Sequence, residues 1–141
     1  MTASLFRLTF EKGQLIDLSG NNIPLTFSTP SSIQNGTYHL NGLKTGGNHL
    51  AIARNDLLFN KSEMSVSLDF KSDGPGIGGD LFRIHESMFI EAKDGQVMFR
   101  LVDNTKGESG SFQSSGLNVT DGNWHKVTLT YDAVQKAMIG Y

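Results

Sequence analysis

The 141-residue sequence contains no cysteine and only three prolines. The lack of cysteine excludes a disulfide framework and a thiolate metal site. Twelve basic and fourteen acidic residues give a net charge of −2, and they are too scattered to form the basic stripe that binds nucleic acid. No apolar run approaches the length that crosses a bilayer, so we expect no membrane insertion. A chain of this size is expected to build one core, so we predict a single domain over residues 1–141.

What the sequence does contain is sixteen glycines and many short runs of alternating apolar and polar residues. The clearest run is Met64–Lys71, in which every second residue is apolar, as in a strand with one buried face. Asp94-Gly95 separates Met88–Lys93 from Gln96–Val102, which is a strong hairpin signal. No window of a dozen residues shows helical spacing, so the predicted class is all-β. Residues 28–37 and 103–116 are predicted to be loops, because they are rich in polar residues and glycine.

The segment Asp121–Asp132 carries the sole tryptophan and follows an Asp-Gly turn. Its alternation places His125, Val127, Leu129 and Tyr131 on one face of a strand, and Trp124, Lys126, Thr128 and Thr130 on the other. His125 is interpreted as a core histidine whose ring nitrogens are satisfied by backbone or by a neighbouring polar group. For Trp124 two interpretations stay open: a packing residue, which we favour, and a platform on which a sugar ring stacks.

The string Asp121-Gly122-Asn123-Trp124-His125-Lys126-Val127 resembles a motif of laminin-G-like domains, which belong to the concanavalin-A-like lectin/glucanase superfamily. Leu8-Thr9-Phe10, followed by Asp17-Leu18-Ser19-Gly20-Asn21, resembles the opening of the bacterial laminin-G-like and pentraxin-like branch. Three further stretches follow in the family's order: Tyr38–Gly42, His49–Ile52 and Met64–Phe70. The resemblance implies a two-sheet antiparallel jelly-roll sandwich. The family continues with more strands after the one that begins at Ala137, so we expect a C-terminally incomplete domain. Its first strand would keep an unpaired edge, and the chain alone would be marginally stable or self-associate.

The resemblance also implies a function. We expect a non-catalytic recognition module of a larger, multidomain extracellular or cell-surface protein, which binds a glycan or a protein partner through its rim loops. One alternative is a fragment of a polysaccharide-active enzyme of the same superfamily, either a glycoside hydrolase or a lyase. Another is a structural spacer or virion component.

Catalysis is not expected from the acidic residues in hand. The glucanases of the superfamily place carboxylates as E-x-D-x-x-E on one strand, since alternate residues of a strand face the same cleft. That string is absent, and Glu86 and Glu91 are an odd number of positions apart, so one regular strand would point them to opposite faces. We therefore predict no catalytic residue and no enzyme activity.

Calcium is the one cofactor that the resemblance suggests. Many laminin-G-like domains hold one Ca²⁺ at the rim, and the matching acidic position is Glu86, just before Met88–Lys93. Asp103, at the far end of the paired strand, is the second candidate metal ligand. Because Ca²⁺ takes six to eight oxygens, carbonyls or waters would complete the set. The alternative is that both residues are ordinary solvated loop acids.

Overall fold

A computed structural model describes residues 7–12, 14–27, 33–40, 50–52, 63–72, 79–84, 88–103, 108–114, 117–132, 134–135 and 137–140. These residues form antiparallel strands and no helix, so the chain is all-β, as predicted. The strands are β1 (Leu8–Glu11), β2 (Gln14–Asp17), β3 (Leu25–Phe27), β4 (Ile33–Gln34), β5 (Thr37–Tyr38), β6 (Leu50–Ile52), β7 (Glu63–Lys71), β8 (Gly79–Ile84), β9 (Met88–Lys93), β10 (Gln96–Asp103), β11 (Glu108–Gln113), β12 (Trp124–Asp132) and β13 (Ala137–Gly140). Among the described residues, no helix has the length and apolar character needed to span a bilayer.

The chain divides into two compact units, Met1–Lys61 and Ser62–Tyr141. The described residues of the first unit form three antiparallel pairs: β1 with β2, β3 with β6, and β4 with β5. The buried side chains described there are Ile23 and Ile33. The rings of Phe10 and Tyr38 stack with centroids 5.9 Å apart, so an aromatic pair adds to the packing of this unit.

The Ser-Gly-Asn-Asn run within Asp17–Asn22 predicts a turn. The turn is present and depends on one carboxylate. Asp17 Oδ1 accepts hydrogen bonds from the Ser19 N–H at 2.8 Å and the Arg7 N–H at 3.1 Å, and Oδ2 accepts one from the Ser19 hydroxyl. The Ser19 backbone bond, followed by that of Arg7, lowers the pKa of Asp17. Local side-chain bonds of this kind stabilise reversals where no strand pairing is available.

The second unit contains two antiparallel sheets. One has the order β8-β9-β10-β11 and the other the order β13-β12-β7. One hydrophobic cluster draws residues from both sheets, so the unit is a two-layer β-sandwich. Its buried members are Val66, Phe70, Met88, Ile90, Ala92, Val97, Phe99, Val119, Val127 and Leu129. The alternation read from the sequence is confirmed on β7 and on β12, where Val127 and Leu129 are buried and Lys126 is exposed.

The hairpin predicted at Asp94-Gly95 is also confirmed: β9 and β10 pair with Lys93 opposite Gln96. Asp94 has φ 50° and Gly95 has φ 81°, the left-handed values that a two-residue hairpin requires. A Cβ atom at Gly95 would lie 3.0 Å from Asn118 Oδ1. Glycine is therefore needed there for its conformation and for the close approach of the chain before β12.

Two loop predictions are wrong in part. Within residues 103–116, Glu108–Gln113 forms the edge strand β11, paired with β10. Glycine and serine give no apolar alternation, but their backbone groups pair as well as any other, so this strand has no side-chain signature. Within residues 28–37, β4 and β5 form a short hairpin around Asn35 and Gly36, whose φ angles are 50° and 76°. Asn-Gly is itself a hairpin signal. Phe6, Leu8 and Phe10 share one face of a strand that the sequence predicts over Ser4–Phe10. The structure shows this strand as Leu8–Glu11, and residues 1–6 lie outside the described part.

Candidate functional site

The segment that leads into β12 is fixed to the β9–β10 hairpin. The Val119 N–H donates to the Gly95 carbonyl at 2.8 Å, and Val119 and Thr120 are both buried. Asn118 Oδ1 accepts hydrogen bonds from the N–H and the hydroxyl of Thr120, each at 3.1 Å. The segment before the turn is thus held against the β9–β10 hairpin.

Asp121 organises the turn itself. Its Oδ1 accepts from the Asn123 N–H at 2.9 Å and its Oδ2 from the Asn123 side-chain amide at 3.0 Å. His125 Nε2 lies 2.8 Å from Asp121 Oδ1. The His125 hydrogen bond, with those of Asn123, lowers the pKa of Asp121 well below its ordinary value. Gly122 has φ 84°, which suits the residue to the reversal.

His125 joins this turn to the core. Its ring lies 5.9 Å from the ring of Phe70, and its side chain is largely covered. One ring nitrogen is satisfied by Asp121, in agreement with the interpretation of a core histidine with a polar neighbour. The histidine therefore acts as an anchor for the turn, and the residue before it is set in a fixed direction by the alternation of the strand.

That preceding residue is Trp124, and the favoured interpretation as a packing residue is wrong. Trp124 is 58% exposed, although it is the largest apolar side chain of the sequence. The physical reason is the alternation of side chains along a strand. Since His125, Val127 and Leu129 lie on the core side of β12, Trp124 must lie on the solvent side. It is also the first residue of the strand and stands opposite Lys71, the last residue of β7.

The solvent side of the β7–β12 pair is otherwise polar, and we call it the Trp124 face. Its members are Glu63, Ser65, Ser67, Asp69 and Lys71 of β7, and Trp124, Lys126, Thr128, Thr130 and Asp132 of β12. Lys126 Nζ lies 3.7 Å from Asp69 Oδ1, and the Ser67 and Thr128 hydroxyls are 2.9 Å apart. The face therefore carries charged side chains next to one exposed indole, and hydroxyl groups further along the strands.

The solvent side of the other sheet is arranged differently. Phe89 lies beneath two guanidinium groups: Arg83 Cζ is 4.7 Å and Arg100 Cζ is 5.5 Å from the centroid of its ring. Arg83 also forms an ion pair with Asp80 at 3.3 Å. This aromatic ring already has cationic partners within the protein.

The two predicted calcium ligands are only partly described. Glu86 lies outside the described residues. Asp103 is the last residue of β10, and its side chain is not among those described. The register places Glu108 of β11 opposite Asp103, a neighbour that the sequence did not reveal because β11 was taken for a loop. Within the described part of the chain, no group of three metal-ligating residues comes together. The calcium site stays a prediction.

No family model matches the sequence, and no curated protein sequence matches it. Among solved structures, the chain resembles the binding domain of Paraclostridial Mosquitocidal Protein 1, with a TM-score of 0.75 and 22% sequence identity. The match covers 96% of this chain but 37% of that one, so the chain spans little more than a third of its structural neighbour. At this level of identity the likeness shows a shared fold alone.

Proposed function

We propose that this chain is a non-catalytic recognition module of a larger extracellular or cell-surface protein, and that it binds a glycan. The exposed indole of Trp124 carries the proposal. An aromatic ring that an anchored strand holds toward solvent is suited to stack on the apolar face of a sugar. The charged side chains of Lys71, Lys126 and Asp69 beside it can hydrogen-bond to the sugar's hydroxyl groups.

Two further observations support a binding role. The structural neighbour is described as the binding domain of a mosquitocidal protein. The second unit is a two-layer sandwich, in keeping with the jelly roll of laminin-G-like domains. The proposal differs from the sequence-based expectation in one respect, because the binding residues lie on a sheet face and the adjoining turn, whereas rim loops were expected.

The test is a saccharide-binding screen with the whole chain, read by the fluorescence of Trp124 and by calorimetry. Since Trp124 is the sole tryptophan, its emission reports on this face directly. We expect at least one oligosaccharide to bind without being cleaved. Release of new reducing ends would instead favour the alternative of a fragment of a polysaccharide-active enzyme. Absence of binding across neutral and charged saccharides would contradict the proposal.

A further inference from the structure

The Trp124 face is not uniform in charge along its length. At the end that holds the indole, Lys71 stands directly opposite Trp124, and Lys126 follows two residues later on the same side. At the other end Glu63 stands opposite Asp132. Trp124 and Asp132 are roughly 26 Å apart along β12, at about 3.3 Å per residue. This exceeds the Debye length of about 8 Å at physiological salt, so the two ends act separately on a ligand.

The lysines at the indole end are available to a ligand. Among the residues that the structure describes, no acidic side chain forms an ion pair with Lys71. Lys126 is paired with Asp69 at 3.7 Å, but both side chains are more than 60% exposed, at 66% and 62%. An exposed pair of this kind contributes little to stability, so a ligand anion can compete for the ammonium group. On the face itself, two lysines stand against one aspartate at this end. The carboxylate of Asp121 in the adjoining turn is engaged by Asn123 and His125.

The lysines and the indole are close enough to act together. Residues opposite each other in an antiparallel pair have Cβ atoms about 4.5–5.5 Å apart, which brings the Lys71 stem beside the indole. Residues i and i+2 on one face are separated by about 6.6 Å, which is within reach of the long Lys126 side chain. A sugar ring stacked on Trp124 would therefore present its substituents to ammonium groups on two sides.

From this arrangement we propose that the Trp124 face binds a saccharide that carries an anionic group, with the sugar ring on the indole and the anion at Lys71 and Lys126. The inference rests on the proposed function and adds to it the site, the charge of the ligand and its orientation. The acidic end at Glu63 and Asp132 repels the same anion, so the charged sugar unit lies at the Trp124 end of the face.

The test compares matched ligands on the whole chain: trigalacturonate, the neutral galactose trimer with the same linkage, and that trimer sulfated at its primary hydroxyls. We expect trigalacturonate to change the emission of Trp124 and to bind at least about fivefold more tightly than the neutral trimer, with the preference falling as salt is raised. The sulfated trimer separates a requirement for negative charge from a requirement for a carboxylate.

Variants then locate the site. Trp124→Ala should weaken binding at least about tenfold by calorimetry, and Trp124→Phe should recover more of it than Trp124→Leu. Lys71→Gln should reduce the preference for the charged trimer about threefold. Ile139→Ala is the matched control, since Ile139 is also exposed on this sheet but lies opposite Thr130. It should leave binding unchanged.

The outcomes separate the inference from the proposed function. If trigalacturonate binds wild type, Trp124→Ala and Lys71→Gln equally, the inference is wrong while glycan binding stands. Equal affinity for the charged and neutral trimers, without dependence on salt, overturns the anionic specificity alone. If none of the trimers binds at millimolar concentration, and no saccharide in the wider screen binds, both proposals fail.

Discussion

Among the described residues, the solvent face of each sheet in the second unit carries one large aromatic residue, and the surroundings of the two rings differ. Phe89 lies beneath the guanidinium groups of Arg83 and Arg100. Trp124 is 58% exposed and has beside it lysines that extend into solvent. An aromatic ring covered by cationic side chains of the same protein contributes to the stability of the fold, whereas a solvent-exposed ring offers surface to a ligand. The role of a solvent-facing aromatic residue, in folding or in binding, therefore depends on what covers its ring.

The largest effect on stability is expected from a charged residue placed on the core side of β12, where the alternation of the strand requires an apolar side chain. Val127→Asp places a charge at a position that is 2% exposed in the core between the sheets. An unpaired charge there has no partner, so we expect loss of the folded state, a cost above about 4 kcal/mol. Thr128→Asp, the next residue and on the Trp124 face, is the matched control and should fold. Far-ultraviolet circular dichroism and thermal unfolding measure both. A folded Val127→Asp protein would contradict the assignment of the faces.

The comparison itself is tested by truncating each aromatic in turn. Phe89→Ala removes a ring that two guanidinium groups cover, and we expect a loss of about 1–3 kcal/mol in the free energy of unfolding. Trp124→Ala removes an exposed ring, and we expect a change within about 0.5 kcal/mol. Denaturant titration followed by circular dichroism gives both values. A larger loss for Trp124→Ala than for Phe89→Ala would show that the indole serves the fold.

A subtler effect concerns the turn that sets the direction of Trp124. Hydrogen bonds from His125 and Asn123 lower the pKa of Asp121 in the folded protein. Folding therefore favours the carboxylate, and its stabilisation is present above the ordinary value of 3.8 and is lost as the pH falls below it. Acidification should then change the emission of Trp124 in the wild type.

Asp121→Asn should remove this acid-range change in emission, because no carboxylate remains to be protonated. Asp17→Asn is the control: the pKa of Asp17 is also lowered, but Asp17 belongs to the first unit. It should alter acid stability while leaving the pH dependence of Trp124 emission as in the wild type. The same acid transition in the Asp121→Asn protein would show that another group controls the turn.

The sequence predicts some of the structural features behind these tests better than others. The alternation of Met64–Lys71 and the Asp94-Gly95 turn are local, so strand β7 and the β9–β10 hairpin were predicted at nearly their observed bounds. Strand β11 was missed because its pairing is made by backbone groups of Glu108–Gln113, which leave no pattern of apolar side chains.

The candidate site was harder to predict than the fold. Parity alone assigns Trp124 to the solvent side of β12, yet its size favoured a packing role. What the sequence cannot show is that Lys71 stands opposite Trp124, because that depends on the register between two strands distant in the chain. The two lysines at the indole end of the face could be placed together only once the register of β7 and β12 was known.

The effect of calcium, if the ion binds at the predicted site, should distinguish the two sheets. Glu86 precedes β9 and Asp103 ends β10, so an ion bound by both would act on the sheet that carries Phe89. Extracellular calcium modules bind with dissociation constants of about 10⁻⁴–10⁻³ M, so a few millimolar Ca²⁺ would add about 1–2 kcal/mol to the free energy of unfolding. Thermal unfolding with and without Ca²⁺ measures this, and Mg²⁺ at equal concentration controls for ionic strength.

Glu86→Gln and Asp103→Asn should each abolish the shift in melting temperature. Because Trp124 lies on the other sheet, its emission should not respond to the ion. A thermal shift that survives both substitutions would place calcium elsewhere, and no shift at all would leave Glu86 and Asp103 as ordinary surface acids.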